Sequence, residues 1–257
     1  MTRIIQISDP HIVPSGQLAY GQVDTAAALA SCVKTVNRLL PEIGPVDLAI
    51  VTGDITDFGT KEEYQLFREI MEPLKLPYRA IPGNHDNVVN MRACFSDQSW
   101  MSSTGPINWT LKFDDLVLIA LDSSIAGQAH GHLSDETLSF LANTLELQNG
   151  LPVLVALHHP PITTGIEKMD IQNLRDSAQL EAILSGYSGE LRLICGHVHR
   201  NIVASFGSII CQIAPGVSHA VSMDLRPGAP NCLTKEPGGI LLHETRAGIV
   251  THHIPTG

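Results

Sequence analysis

VDLAIVTGD, residues 46–54, is an apolar run of strand length that stops at a glycine and a carboxylate. Its shortness and branched side chains make it a buried strand rather than a helix. The flanks repeat the theme. Upstream, RIIQIS (3–8) is a second strand. Residues 25–43 form a helix between the two, with Leu29, Val33, Val36, Leu40 and Ile43 on one face. Downstream, TKEEYQLFREIMEPL opens with Thr60 and Glu63 in capping-box spacing and carries Leu66, Phe67, Ile70 and Met71 on one face. YRAIPG (78–83) is a third strand. Strand–helix–strand order in one sheet requires parallel pairing, so the first half of the chain reads as α/β.

The middle adds antiparallel pairing. WTLKF and LVLIALDS flank Asp114-Asp115, a hairpin pattern. A helix with Leu138, Leu141 and Leu145 follows, then the strand PVLVALHH (152–159), a helix around Leu180, Ile183 and Leu184, and the strand LRLICGH (191–197). SIICQIAPG (208–216), GILLHE and GIVTHHI read as closing strands. No repeat or low-complexity tract interrupts the 257 residues, which suit one domain, 1–257. Residues 222–239, with Pro227, Pro230 and Pro237, are the least regular stretch: a lid, an oligomer arm or a loop.

Composition narrows the function. The net charge of −10 argues against long nucleic acid and makes a nuclease a poor reading. No apolar run reaches the roughly 18 residues of a membrane span, and the N-terminus lacks the pattern of a secretory signal. Five scattered cysteines, never C-x-x-C, fit reduced thiols and a cytoplasmic location. Twelve histidines stand out, because imidazole is a common metal ligand.

The histidines and carboxylates sit where strands end. Asp9 and His11 follow the first strand, Asp54 and Asp57 the second, and Asn84, His85 and Asp86 the third. His158 and His159 follow PVLVAL, and His197 and His199 follow LRLIC. In α/β sheets that end is where ligands bind. A lone H-x-H is weak evidence, but five strand ends of nitrogen and oxygen donors describe a divalent transition-metal pocket. Gly53, Gly83 and Gly196 stand before these donors, where the chain must turn sharply. Neighbours on a strand point oppositely, so one of His158 and His159 is expected in the pocket. By the same rule Val198 is a spacer that keeps His197 and His199 on one side of an extended segment.

D-x-H, G-D-x-x-D, G-N-H-D, H and G-H-x-H, in this order over residues 9–199, resemble the calcineurin-like metallophosphoesterase superfamily. LAYGQVDTAAAL, GTKEEY, IPGNHD, LHHPP and APGVSHAV are similar to segments of its bacterial class III cyclic-nucleotide phosphodiesterase and glycerophosphodiesterase branch. The resemblance implies a four-layer αββα sandwich of two mixed sheets flanked by helices. It implies two divalent ions, Fe, Mn, Zn or Co, the first on Asp9, His11, Asp54 and His199. The second would rest on Asp54, Asn84, His158 and His197, with Asp54 bridging. It also implies homo-oligomers, associating through a cap or arm at roughly 200–240.

The reaction expected of such a site is hydrolysis of a small phosphodiester, a cyclic nucleotide or glycerophosphodiester, by in-line attack of a metal-bound hydroxide. His85 would bind the phosphate and protonate the leaving oxygen, with Asp86 orienting it. Asn84, His85, His219 and Tyr20 are candidates to contact substrate, the alternative for His219 being a satisfied surface histidine. Asp57 reads as structural or supporting. His130, His132, His243, His252 and His253 carry no pattern and read as ordinary loop or strand residues, and Cys195 as buried in its strand. The alternatives are a phosphomonoesterase or nucleotidase on the same ions and a non-catalytic scaffold.

Overall fold

The structure, a computed structural model, describes residues 1–256. In chain order the first half runs β1 (Arg3–Ile7), α1 (Thr25–Ile43), β2 (Leu48–Thr52), α2 (Lys61–Met71), β3 (Tyr78–Ile81), α3 (Val88–Cys94), β4 (Trp109–Lys112), β5 (Val117–Leu121) and α4 (Asp135–Glu146). The second half runs β6 (Val153–Leu157), α5 (Glu167–Asp170), α6 (Ser177–Leu184), β7 (Leu191–Cys195), β8 (Ile202–Phe206), β9 (Ile209–Ile213), β10 (Ala220–Val221), β11 (Leu233–Thr234), β12 (Gly239–Thr245) and β13 (Ile249–Pro255).

Two mixed sheets result. One has the order β13-β12-β1-β2-β3 and the other β4-β5-β6-β7-β9-β8, with β10 and β11 paired separately. β1, β2 and β3 are mutually parallel, as are β5, β6, β7 and β9. Their C-terminal ends open on one region, where the predicted donors lie.

Strand alternation builds the layers. Leu118 and Ala120 of β5 join Leu154, Ala156 and Ile194 in a core shared with the first sheet and with Leu29 and Val33 of α1 and Tyr64 and Phe67 of α2. Val117, Ile119 and Leu121 face the other way, onto Leu141 and Leu145 of α4 and Leu180 and Leu184 of α6. The order is helix, sheet, sheet, helix. Truncating a residue such as Leu154 to Ala would cost about 2–5 kcal/mol. Helix starts are fixed by polar caps. Thr60 Oγ1 accepts from Glu63 N while Glu63 Oε2 accepts from Thr60 N, the expected capping box.

Gln6 ties the sheets together below the donors. Its Nε2 donates to Thr52 Oγ1 and to the carbonyl of Cys195, both at 2.9 Å. His243 Nε2 donates in turn to Gln6 Oε1 at 3.1 Å, so this histidine is a buried strand residue, as expected. All five cysteines are free, Cys195 buried in β7 among them.

The structure changes one boundary. β9 falls in the strand expected at 208–216, whereas residues 202–206, expected within a cap or arm, form β8 and complete the six-stranded sheet. Within the stretch expected as a cap or arm, residues 214–238 lie outside the large sheets, with β10 and β11 their regular part. No helix among the described residues is long and apolar enough to cross a membrane.

Candidate metal centre

Each predicted ligand sits just past a strand, and the backbone there is unusual. Seven non-glycine residues among those described have positive φ, and five are Asp9, His11, Asp54, His197 and His199. A left-handed L-residue costs roughly 1–2 kcal/mol, so these positions persist only because their surroundings impose them. The loops after β1 and β2 do so by pairing: Asp9 N donates to Gly53 O at 3.2 Å, His11 N to Asp54 O at 2.9 Å and Ile12 N to Ile55 O at 3.0 Å. The loop after β7 is tied in when His197 N donates to Asp9 Oδ1 at 2.9 Å.

The turn at CGHVHR therefore differs from the expected extended segment. His197 and His199 both have left-handed φ, and Val198 between them packs in the outer core with Leu193 and Cys195. Two left-handed residues, not strand alternation, bring both imidazoles to the same side. Gly83 and Gly196 also serve differently from expectation. Neither has positive φ; a side chain on Gly83 would strike Asp54, and one on Gly196 would strike Ser8, Thr52 and Asp9. They allow close approach rather than a sharp turn.

The donors form adjoining clusters. Asp9, His11, Asp54 and His199, all buried, offer ligand atoms within 4.8 Å of one another. His11 Nε2 and His199 Nε2 stand 3.1 Å apart, and Asp9 Oδ1 is 3.4 Å from His199 Nε2. Across Asp54, whose Oδ2 is 3.4 Å from His11 Nε2 and 3.2 Å from His158 Nε2, lies the second cluster. There His158 Nε2 is 3.2 Å from Asn84 Oδ1, and the His197 ring centroid is 5.2 Å from that of His158. His158 Nδ1 donates to Thr52 O at 2.8 Å, which turns Nε2 toward Asp54.

His159 joins this cluster too. His158, His159 and His197 present ligand atoms within 4.8 Å. β6 ends at Leu157, ahead of Pro160 and Pro161, so strand alternation does not separate the two histidines. His159 Nδ1 pairs with Ser123 Oγ at 2.8 Å, a contact with no sequence pattern behind it.

Asp86 does not orient His85. Its carboxylate accepts from Ile55 N, Thr56 N, Thr56 Oγ1, Gly83 N and Tyr64 OH, holding the loops after β2 and β3 together. His85 is fixed by Asp57: its Nδ1 donates to Asp57 O at 2.9 Å, and Asp57 Oδ1 is 3.5 Å away. Asp57 Oδ1 also accepts from Tyr20 OH at 3.3 Å. His219 is buried, its ring centroid 4.5 Å from that of His199 and 5.4 Å from that of Tyr20. Tyr20, Asn84, His85 and His219 all line a cavity of about 210 Å³ over the clusters. Asn231, Cys232 and Leu233 line it as well, so part of the irregular 222–239 stretch is a wall of the site.

These residues fit divalent ions. Asp9 Oδ2, His197 Nε2 and His199 Nδ1 are buried without a hydrogen-bond partner, a costly state that a bound cation relieves. Mixed imidazole and carboxylate donors suit transition metals. The electrostatics agree. Burial, reinforced by His158, pushes His197 down to about 3, and burial with His11 and His219 beside it pushes His199 well below the usual range. Both rings are neutral and ready to coordinate. Burial opposes ionisation of Asp54, yet His158, His85 and His11 hold its carboxyl well below the ordinary value.

The calcineurin-like phosphoesterase profile matches residues 2–201. A protein of Arcobacter nitrofigilis, named as a probable glycerophosphodiester phosphodiesterase, GpdQ, is 40% identical over 97% of this chain and 91% of its own length. A cAMP/cGMP dual specificity phosphodiesterase of Mycobacterium tuberculosis is 28% identical over 99% of this chain and 79% of its own. Among solved structures, a dimetal phosphatase from Danio rerio superposes with a TM-score of 0.65 at 13% identity, over 100% of this chain and 99% of its own, a likeness of fold.

Proposed function

The chain belongs to the calcineurin-like phosphoesterase family, and we propose that within it this protein is a binuclear metal-dependent phosphodiesterase acting on small diesters. The observation that carries the reading is the pair of buried donor clusters meeting at Asp54. Asp9, His11, Asp54 and His199 would hold one ion, and Asp54, Asn84, His158 and His197 the other. When bound, the ions supply Lewis-acid charge to the phosphoryl oxygens and a water activated for attack.

The chain's own groups do the rest. His85 donates Nδ1–H to Asp57 O, which leaves its Nε2 free; in the charged ring Nε2–H binds a phosphate oxygen and can protonate the departing alkoxide. Asp57 holds both His85 and His11, so candidate acid and candidate ligand move as one unit. Asn84 serves both ion and substrate, since its Oδ1 faces His158 and the residue lines the cavity. The names of the relatives support a diester rather than a monoester, and a cyclic nucleotide and a glycerophosphodiester are the substrates of this reading. Homo-oligomerisation belongs to the same reading, and light scattering on the eluting protein tests it.

Turnover of bis(p-nitrophenyl) phosphate against p-nitrophenyl phosphate, in defined Mn, Zn or Fe, decides the reaction class. Faster diester turnover supports the reading. Much faster monoester turnover replaces it with a phosphomonoesterase or nucleotidase. About zero ions per chain after supplementation would favour a scaffold.

A further inference from the structure

The chamber over the donors has a second wall that the metal chemistry does not use. Met169 ends the buried face of α5, and Gln172 follows on the turn, where its N–H donates to Met169 O at 2.8 Å. Both line the cavity together with Asn231, Cys232 and Leu233. Leu233 is fixed there by pairing with Val221 across β10 and β11, and Asn231 Nδ2 lies 4.0 Å from Met169 Sδ.

This wall carries no charge. Neither Lys nor Arg lines the cavity among the described residues. Two cations adjoin lining residues in sequence: Lys168, before Met169, is exposed and lines no part of the cavity, and Arg200, after His199, has its guanidinium already engaged. Its Nη1 and Nη2 donate to Glu236 at 3.0 and 2.6 Å, and Nε donates to Val221 O. That fork neutralises Arg200 and pins the segment carrying Asn231–Leu233 at both sides.

We propose that this wall is a subsite for one ester arm of the substrate, that Gln172 is its polar anchor, and that it selects an uncharged, hydroxyl-bearing arm over an anionic one. The inference rests on the phosphodiesterase reading. An amide donates to and accepts from hydroxyl groups, while Met169 and Leu233 cover the methylenes between them. An anionic arm would lose hydration there and meet no counter-charge.

The test uses two p-nitrophenyl phosphodiesters, one with a dihydroxypropyl second arm and one with a carboxyethyl arm, beside bis(p-nitrophenyl) phosphate. The wild type should favour the dihydroxypropyl arm in kcat/KM by about tenfold. Gln172→Ala should erase most of that preference, chiefly through KM, with metal content unaltered. Gln172→Lys should move the ratio toward the carboxyethyl arm. Calorimetric Kd values for hydrolysis-resistant phosphonate analogues should follow the same order. A wild type that turns over the bis ester but treats both arms alike overturns the subsite alone. So does a Gln172→Lys ratio equal to that of the wild type. Turnover of none of the three esters overturns the phosphodiesterase reading, and the subsite with it.

Discussion

Asp57 and His11 meet side chain to side chain, Oδ1 to Nδ1 at 3.0 Å, and both are buried. The bond fixes the tautomer of His11 so that Nε2 presents its lone pair to Asp54 and His199. Asp57→Ala should leave the fold intact and weaken metal binding by roughly 10–100-fold. Metal titration followed by calorimetry checks this, and unchanged affinity would remove Asp57 from the supporting role.

His197 and His199 belong to different clusters. His197→Ala and His199→Ala should therefore each retain about one ion per chain, and the double variant neither. Elemental analysis after gel filtration measures the stoichiometry. Two ions retained by either single variant would contradict the assignment.

Asn84 reaches only the second cluster, through His158. Asn84→Ala should lower turnover of bis(p-nitrophenyl) phosphate on the order of 100-fold or more, given what disturbing even supporting groups costs. Activity and metal content like the wild type would sink the second site as drawn.

Gly196→Ala adds a methyl group against Ser8, Thr52 and Asp9. Overpacking of this kind costs about 1–3 kcal/mol. Urea denaturation of the metal-free protein should show that loss even though no donor has been changed. A midpoint equal to that of the wild type would show that the loops can part without cost.

His243, outside both donor clusters, gives a pH signature of its own. Burial, with Arg192 nearby, pushes its ring down to about 3. The unfolded ring titrates near 6.5, so between those values the unfolded chain binds the extra proton. The contribution to stability is therefore present above pH of about 6.5 and is lost as pH falls toward 3, at up to roughly 1.4 kcal/mol per pH unit. His243→Gln should flatten the acid limb of stability against pH by that one proton. Parallel curves for the two proteins would mean the histidine is charged in the fold.

Much of this was legible in the sequence because its signals are local. The helix at Thr25–Ile43, the capping box at Thr60 and the strand ends bearing Asp9, Asp54, Asn84 and His197 are patterns within a few residues of one another. What escaped depends on contacts between distant segments. Asp86 and Asp57 look alike along the chain, and only the packing of the β2 and β3 loops gives one to backbone amides and the other to His11 and His85. The proximity of His159 to His197 follows from β6 ending before two prolines, which makes strand alternation the wrong rule there. β8 is not legible because, as an edge strand, it exposes Val203 and Ser205 while the inward side has only the small Ala204 between Ile202 and Phe206, so the apolar alternation is blurred. The role of Asn231–Leu233 is set by the Arg200–Glu236 fork, a pairing 36 residues apart.

Each cluster draws on both sheets: Asp9, His11, Asp54 and Asn84 extend from one, His158, His197 and His199 from the other. The centre is thus a rivet through a seam. A slip of one sheet past the other by a single strand step, about 3.3 Å, would pull both donor sets apart at once. Gln6, bonded across the same seam, resists that slip from below. Mechanical stiffness of the sandwich and its capacity to grip ions are then one property, and loosening the seam anywhere along its length should register at the metals.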